Sequence, residues 1–247
     1  MKTNECTNLI IRTDSITIPE GSEEIGMSAF ADCTNLKEVK LPSTLREIGA
    51  CAFSNCINLK EVKLPSTLRE IGVHAFAGSG IEHLVIPEGV ERISDSVFYM
   101  CKNLKEVKLP STLREIGVHA FTGSGIEQLI IPEGVERIRV CTFAGCTNLK
   151  EVKLSSTLEE IGMCAFAGCI NLKEVKLPST LREIGAYAFE GSGIEQLIIP
   201  EGIVFIDDWT FAGCKNLKEI KLPSTLREIG TGAFDGCDNI EISREHI

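Results

Sequence analysis

Eleven cysteines and four histidines are the residues of this chain with the most chemistry to offer, as thiolate nucleophiles, disulfides or zinc ligands. The histidines, at 74, 83, 119 and 246, stand singly, and neither a Ser nor a Cys with an orienting acid recurs beside any of them. Nucleophile, base and orienter never come together, so a protein without catalytic residues is expected. Seven cysteines, Cys33, Cys56, Cys101, Cys146, Cys169, Cys214 and Cys237, lie three residues after a recurring Phe, and Cys6 holds the same place in a partial first unit. Ser79, Ser124 and Ser192 take that place in units carrying a Gly-Ser-Gly triplet, so the position wants a small inward side chain more than a bridge. Stacking would bring Cys146 and Cys169 near disulfide distance, but with parallel side-chain directions that suit the bridge poorly.

The other three, Cys51, Cys141 and Cys164, fall two before the Phe, in a column shared with Ser28, His74, Ser96, His119, Tyr187, Trp209 and Gly232. That variety reads as an outward, unconstrained column. Neighbours within it supply two metal ligands where zinc wants three or four, so neither a metal nor a cofactor is expected. The Gly-Ser-Gly triplets at 78–80, 123–125 and 191–193 lack the Lys-Ser/Thr pair and the following helix of a phosphate loop, and read as tight turns.

The elements that position these residues follow from the repeat itself. Phe recurs at 30, 53, 76, 98, 121, 143, 166, 189, 211 and 234, spaced by 22 or 23 residues; Ile stands five before it in all ten units. All nine prolines stand eleven before it, and only Ser155 breaks that series. Ahead of the proline, segments such as LKEVKL (36–41) alternate apolar and charged residues, as strands with one buried face must. Val39 and Leu41 are expected inside, Glu38 and Lys40 outside. The proline ends that ladder, a second short segment such as LREIG (45–49) follows, and its frequent Gly turns the chain. The next stretch, AFxGC, is expected to form one short helical turn that drives the Phe into the core.

The pattern LxxVxLPxxLxxIGxxAFxxCxxL, complete in Leu36, Val39, Leu41, Leu45, Ile48, Gly49, Ala52, Phe53, Cys56 and Leu59, resembles the BspA-like class of leucine-rich repeats. The likeness covers nearly the whole chain. It implies a leucine-rich repeat solenoid, a right-handed coil of short parallel strands with short helical turns and about ten repeats. One domain is expected over 1–247: a partial first repeat at 1–12, ten stacked repeats at 13–237 and a C-terminal tail at 238–247. The resemblance further implies a protein-binding module, often an adhesin at the cell surface or secreted, and brings no catalytic residues with it. The N-terminal sequence carries no secretory apolar run, so compartment stays open. Segments 59–72, 104–117 and 172–185 are identical, which also fits a duplicated, excised or consensus-built array with no dedicated ligand.

Charge narrows the partners. The chain carries 25 Lys plus Arg against 35 Asp plus Glu, a net charge of -10 that repels nucleic acid and anionic membranes, and no segment is apolar enough to span a bilayer. Exposed charges are expected to alternate in sign between coils, as Lys60, Glu82, Lys105, Glu127 and Lys150 on one strand and Arg69, Glu91, Arg114 and Glu136 on the other. Outward Val85, Ile130 and Ile198 interrupt the first of these ladders on the face that leucine-rich arcs use for recognition. The ninth unit breaks pattern altogether: IVFIDDWTF places Val204 and Phe205 where a charge pair stands elsewhere and adds Trp209, with Tyr187 one coil earlier in its column. Exposed aromatics in a charged surface are what interaction hot spots use. These seven residues are the candidate protein-binding set, with self-association as a second use of the ninth-unit patch.

Overall fold

The computed structural model describes residues 14–238 and 240–244; Cys6 and His246 lie outside the described residues. The chain falls into two compact units, 1–126 and 127–247. In the first, the strands are β1 (Ser15–Thr17), β2 (Glu24–Ile25), β3 (Glu38–Lys40), β4 (Glu47–Ile48), β5 (Glu70–Ile71), β6 (His83–Val85), β7 (Arg92–Ile93), β8 (Glu106–Lys108) and β9 (Glu115–Ile116). The second holds β10 (Gln128–Ile130), β11 (Arg137–Ile138), β12 (Glu151–Lys153), β13 (Glu160–Ile161), β14 (Glu174–Val175), β15 (Glu183–Ile184), β16 (Gln196–Ile198), β17 (Phe205–Ile206), β18 (Glu219–Leu222), β19 (Glu228–Ile229) and β20 (Glu241–Arg244).

Every pairing is parallel, and each strand pairs with its counterpart in a neighbouring coil. The longer strands join as β1-β3 and β6-β8 in the first unit, and as β10-β12-β14 and β16-β18-β20 in the second. The shorter ones form β2-β4-β5 and β7-β9 in the first unit, β11-β13-β15 and β17-β19 in the second. Register follows the apolar residues: Leu129 faces Val152 and Val152 faces Val175, all at most 5% exposed. A slip of one residue would turn each of them out to solvent. This is the leucine-rich repeat solenoid expected from the sequence, each coil completing its neighbour's core.

The stretch around the Phe differs in detail from the expected helical turn. No described residue is helical; the chain instead makes consecutive hydrogen-bonded turns. Alternate amides leave the coil, Ser28 N–H donating to Ala50 O, Phe30 N–H to Ala52 O and Asp32 N–H to Ser54 O, each at 2.8 Å. The amides between them close turns within the coil, as Ala29 to Gly26 O and Cys33 to Phe30 O at 3.2 Å. This alternation needs left-handed backbone two before the Phe, where Ser28, Cys51, His74, Ser96, His119, Cys141, Cys164, Tyr187 and Trp209 all have φ of 54–59°. Each such residue costs about 1–2 kcal/mol. An inner amide left without a partner costs about 1–3 kcal/mol, and a helical turn would spend its amides inside one coil, so the turn ladder wins. The column is therefore tightly constrained in backbone, and its variety reflects only where its side chains point.

The Phe rings fill the interior as stacks. Centroids lie 5.1–6.0 Å apart from Phe30 to Phe121 in the first unit and 5.3–5.6 Å apart from Phe143 to Phe234 in the second. Each stacked pair adds about 0.5–1.5 kcal/mol beyond its buried area. The Gly-Ser-Gly coils shorten this segment by one residue, and the deletion is absorbed by close backbone approach: a Cβ at Gly80, Gly125 or Gly193 would lie 2.1 Å from the carbonyl oxygen of Ile57, Lys102 or Ile170. The loops after the prolines interlock as well. Glu88 accepts from the amide and hydroxyl of Ser111, Glu133 from those of Ser156, and Glu201 from those of Ser224. Those bonds hold all three carboxyls below the ordinary Glu range.

Candidate binding surface

The outward positions of the longer strands carry the first candidate surface. In the first unit Val85, 60% exposed, faces Lys108 across β6-β8. In the second, Ile130 faces Lys153 and Ile198 faces Lys221, with the two isoleucines 66% and 56% exposed. Single exposed aliphatics are ordinary, but Ile198 has a particular setting. The ladder β10-β12-β14 stops at β14 and pairing resumes only at β16, because the Gly-Ser-Gly coil brings its strand up one residue early. At that interruption lies a groove of about 390 Å³, lined by Val175, Leu177 and Ile198 with Glu174, Lys176 and Lys221 around them.

Around these residues the charges are mostly satisfied by the chain itself. Two pairs of the first expected ladder form, Lys60 with Glu82 at 3.1 Å and Lys150 with Glu127 at 2.8 Å, and Lys173 with Glu195 at 3.0 Å extends the column. On the second, the arginines also bond outside their column. Arg69, Arg114 and Arg182 turn back onto backbone carbonyls of their own loops, donating to Leu68 O, Leu113 O and Leu181 O at 2.7–2.9 Å. The arginine pairs seen on the shorter strands are Arg92–Glu115 and Arg137–Glu160, both at 3.5 Å. Like charges also stack: Glu47 lies between Glu24 and Glu70 in β2-β4-β5, and burial together with those neighbours raises its carboxyl above the usual range. Sign alternation read one column at a time missed that long arginines reach out of their column.

The ninth-unit residues lie on separate ladders. Phe205, 37% exposed, faces Glu228 on β17-β19, next to Val204, 47% exposed, whose carbonyl accepts from Arg227 N–H at 2.9 Å. Trp209 belongs to the turn ladder, half-buried, its ring parallel to Tyr187 within 4° at 6.4 Å between centroids. Tyr187 and Trp209 therefore form one feature, Val204 and Phe205 another, and Ile198 a third.

Thiols three residues after the Phe bond into the neighbouring coil. Cys56, Cys101, Cys169, Cys214 and Cys237 each donate to the carbonyl of the Phe one coil earlier, at 2.9–3.2 Å. Burial pushes the thiol of Cys56 up to about 12 and that of Cys101 to about 11, far from the thiolate a nucleophile or metal ligand needs. Ser79 and Ser192 sit in the same column with their hydroxyls 3.5 Å and 3.3 Å from the sulfurs of Cys101 and Cys214. Among the described residues no group of three or more His, Cys, Asp or Glu could hold a metal ion, and no helix is long and apolar enough to cross a membrane. Among the described histidines, His74 and His119 meet Tyr99 edge-on at 6.5 Å and 6.4 Å, and His83 approaches Glu106 at 3.8 Å.

A family model described as the BspA type leucine rich repeat region matches the chain in six copies, over residues 4–77, 23–150 and 140–244. Solved structures similar to the chain include the leucine-rich repeat protein of T. pallidum, 32% identical over 66% of this chain and 79% of that one, with a TM-score of 0.61. The pneumococcal vaccine antigen PcpA is 24% identical over 94% of this chain and 69% of its own length, with a TM-score of 0.58. A leucine-rich repeat protein of Eubacterium ventriosum is 18% identical over 94% and 72%, with a TM-score of 0.56. Likeness to the latter two is likeness of fold. No curated protein matches the chain.

Proposed function

The chain belongs to the BspA-type leucine-rich repeat family, and on that premise we propose that it is a protein-binding module that holds an extended segment of a partner protein on the longer-strand face of its second unit. The groove at Ile198 carries this reading. Its volume of about 390 Å³ suits an apolar side chain with its flanking backbone, and the charged side chains around it form the polar rim that interfaces use. Ile198 is the anchor; Glu174, Lys176 and Lys221 orient the partner. Ile130 extends the same outward column, and Val85 is its counterpart in the first unit. Binding without transformation is what the site chemistry favours, since its carboxylates and lysines have no nucleophile or paired base beside them. Display at a cell surface, as an adhesin for matrix or serum proteins, is the role this assigns.

The test is biolayer interferometry of the chain against a panel of purified extracellular-matrix and serum proteins, repeated with Ile198→Asp. Saturable binding of one protein, lost in a variant that unfolds at the same temperature, supports the reading. A panel with no binder, or a binder indifferent to Ile198→Asp, overturns the groove as the site. The internally satisfied ion pairs and the identical segments at 59–72, 104–117 and 172–185 then favour a purely structural array.

A further inference from the structure

On the turn ladder of the second unit, the residue after each Phe runs Ala167, Glu190, Ala212 and Asp235 in successive coils. Hydrogen bonds from Gly191 N–H to Ala212 O at 2.8 Å and from Gly213 N–H to Asp235 O at 2.7 Å fix that order. Ala212 thus leaves a gap between two exposed carboxylates, separated by two coil spacings of about 4.8 Å each, roughly 10 Å in all. The residues beside the gap are Gly191, Gly213 and Gly236, with φ of 61°, 69° and 72°, so no side chain rises from its floor. Trp209 walls it. Its ring is held between Tyr187 and the backbone of Gly232, where a Cβ would come within 2.8 Å of the indole carbons. The result is a notch of about 370 Å³ with an indole, two carboxylates, a glycine floor and no Lys or Arg in its lining.

We propose that this notch receives an arginine or lysine side chain from a basic peptide segment of a partner protein. The charge balance selects the occupant: two carboxylates with no ion pair among the described residues, about 5 Å to either side of the gap, attract a cation. The indole and glycine backbone match the methylene stem that such a side chain lays along apolar surface. An anionic group would meet repulsion from Glu190 and Asp235, and a short neutral side chain would leave both carboxylates without a counter-charge. The site is separate from the groove at Ile198, so the two succeed or fail independently.

Trp209 is the chain's single Trp, so its fluorescence reports on the notch directly. The experiment titrates the whole chain with a capped Arg-Gly repeat peptide and, separately, with its Glu-Gly counterpart. A saturable change in Trp emission with the basic peptide alone is expected. Glu190→Gln with Asp235→Asn should weaken it about tenfold or more, as loss of charge-assisted contacts does. Glu24→Gln with Glu70→Gln, which removes the same two charges from the first unit, should leave it unchanged. The proposal is overturned by an emission that the basic peptide does not move, by an equal response to the acidic peptide, or by equal weakening in the two charge-neutralised variants. The last result would assign the attraction to the net charge of the chain.

Discussion

The Gly-Ser-Gly triplet at 191–193 sets two roles of glycine side by side, and alanine separates them. At Gly191 an added Cβ meets nothing within 4 Å, but φ is +61°, so Gly191→Ala costs only the left-handed penalty, about 1–2 kcal/mol. At Gly193 the backbone angle is permissive and the space is not: the Cβ would lie 2.1 Å from Ile170 O, far inside the roughly 3.5 Å of a good contact. Neither atom belongs to a flexible side chain, so the two coils must part. That strain costs about 1–3 kcal/mol and strips the bond from Gly193 N–H to Cys169 O at 3.1 Å, worth about 0.5–1.5 kcal/mol more. Gly193→Ala should therefore lose about 1.5–4.5 kcal/mol, centred near twice the loss of Gly191→Ala. Urea denaturation followed by circular dichroism measures both. Gly80 and Gly125 repeat the geometry against Ile57 and Lys102, and Gly80→Ala and Gly125→Ala should behave alike. If Gly191→Ala proves the more damaging, close coil approach is not what selects the second glycine.

Further outcomes follow from the same structure. Phe166, fully buried and stacked on Phe143 and Phe189 at 5.3 Å each, should lose about 3–5 kcal/mol as Phe166→Ala, while Phe234→Ala, half-buried with one stacked neighbour, should lose distinctly less in the same denaturation assay. Because Glu88, Glu133 and Glu201 have folded pKa values below their unfolded ones, their stabilisation is present above the ordinary Glu range and is lost as pH falls through the folded values. The triple Glu→Gln variant should thus show a flatter acid limb in melting temperature against pH. Glu47 has the opposite sign, its folded carboxyl raised, so Glu47→Gln should stabilise the chain by a few tenths of a kcal/mol at neutral pH and lose that advantage in acid. Iodoacetamide at pH 8 should spare Cys56 and Cys101 in the folded chain and label them after denaturation, as mass spectrometry of peptides would show.

Most of the coil was legible in one dimension because its core depends on side-chain type at fixed spacing. The Phe, Ile and Pro columns give the repeat, and the alternation in LKEVKL gives strands whose Val39 lies inside and whose Glu38 and Lys40 lie outside. The turn ladder was not legible the same way, since apolar patterning says nothing about the sign of φ. A signal was present two after the Phe, where Asp32, Asn55, Gly78, Gly123, Gly145, Gly168, Gly191, Gly213 and Gly236 are of types that tolerate left-handed backbone, and only Met100 departs from them. The candidate surface was legible as a set of outward apolar residues, not as an arrangement. Val204, Phe205 and Trp209 are near in sequence, yet a coil that turns twice between strands sends them to different ladders. The groove at Ile198 depends on a one-residue deletion in the preceding turn, a length effect that no residue type at 198 announces.

The ladders also determine how these units would bear load. Their hydrogen bonds join one coil to the next, so tension along the stacking direction pulls each boundary apart like a seam instead of shearing long strands past one another. A coil torn from the end of a unit frees 22 or 23 residues, about 75–80 Å of extended chain, before the next boundary is loaded. Stretched in an optical trap, such a unit would lengthen in small steps of nearly constant size at modest force, and so behave as a shock absorber.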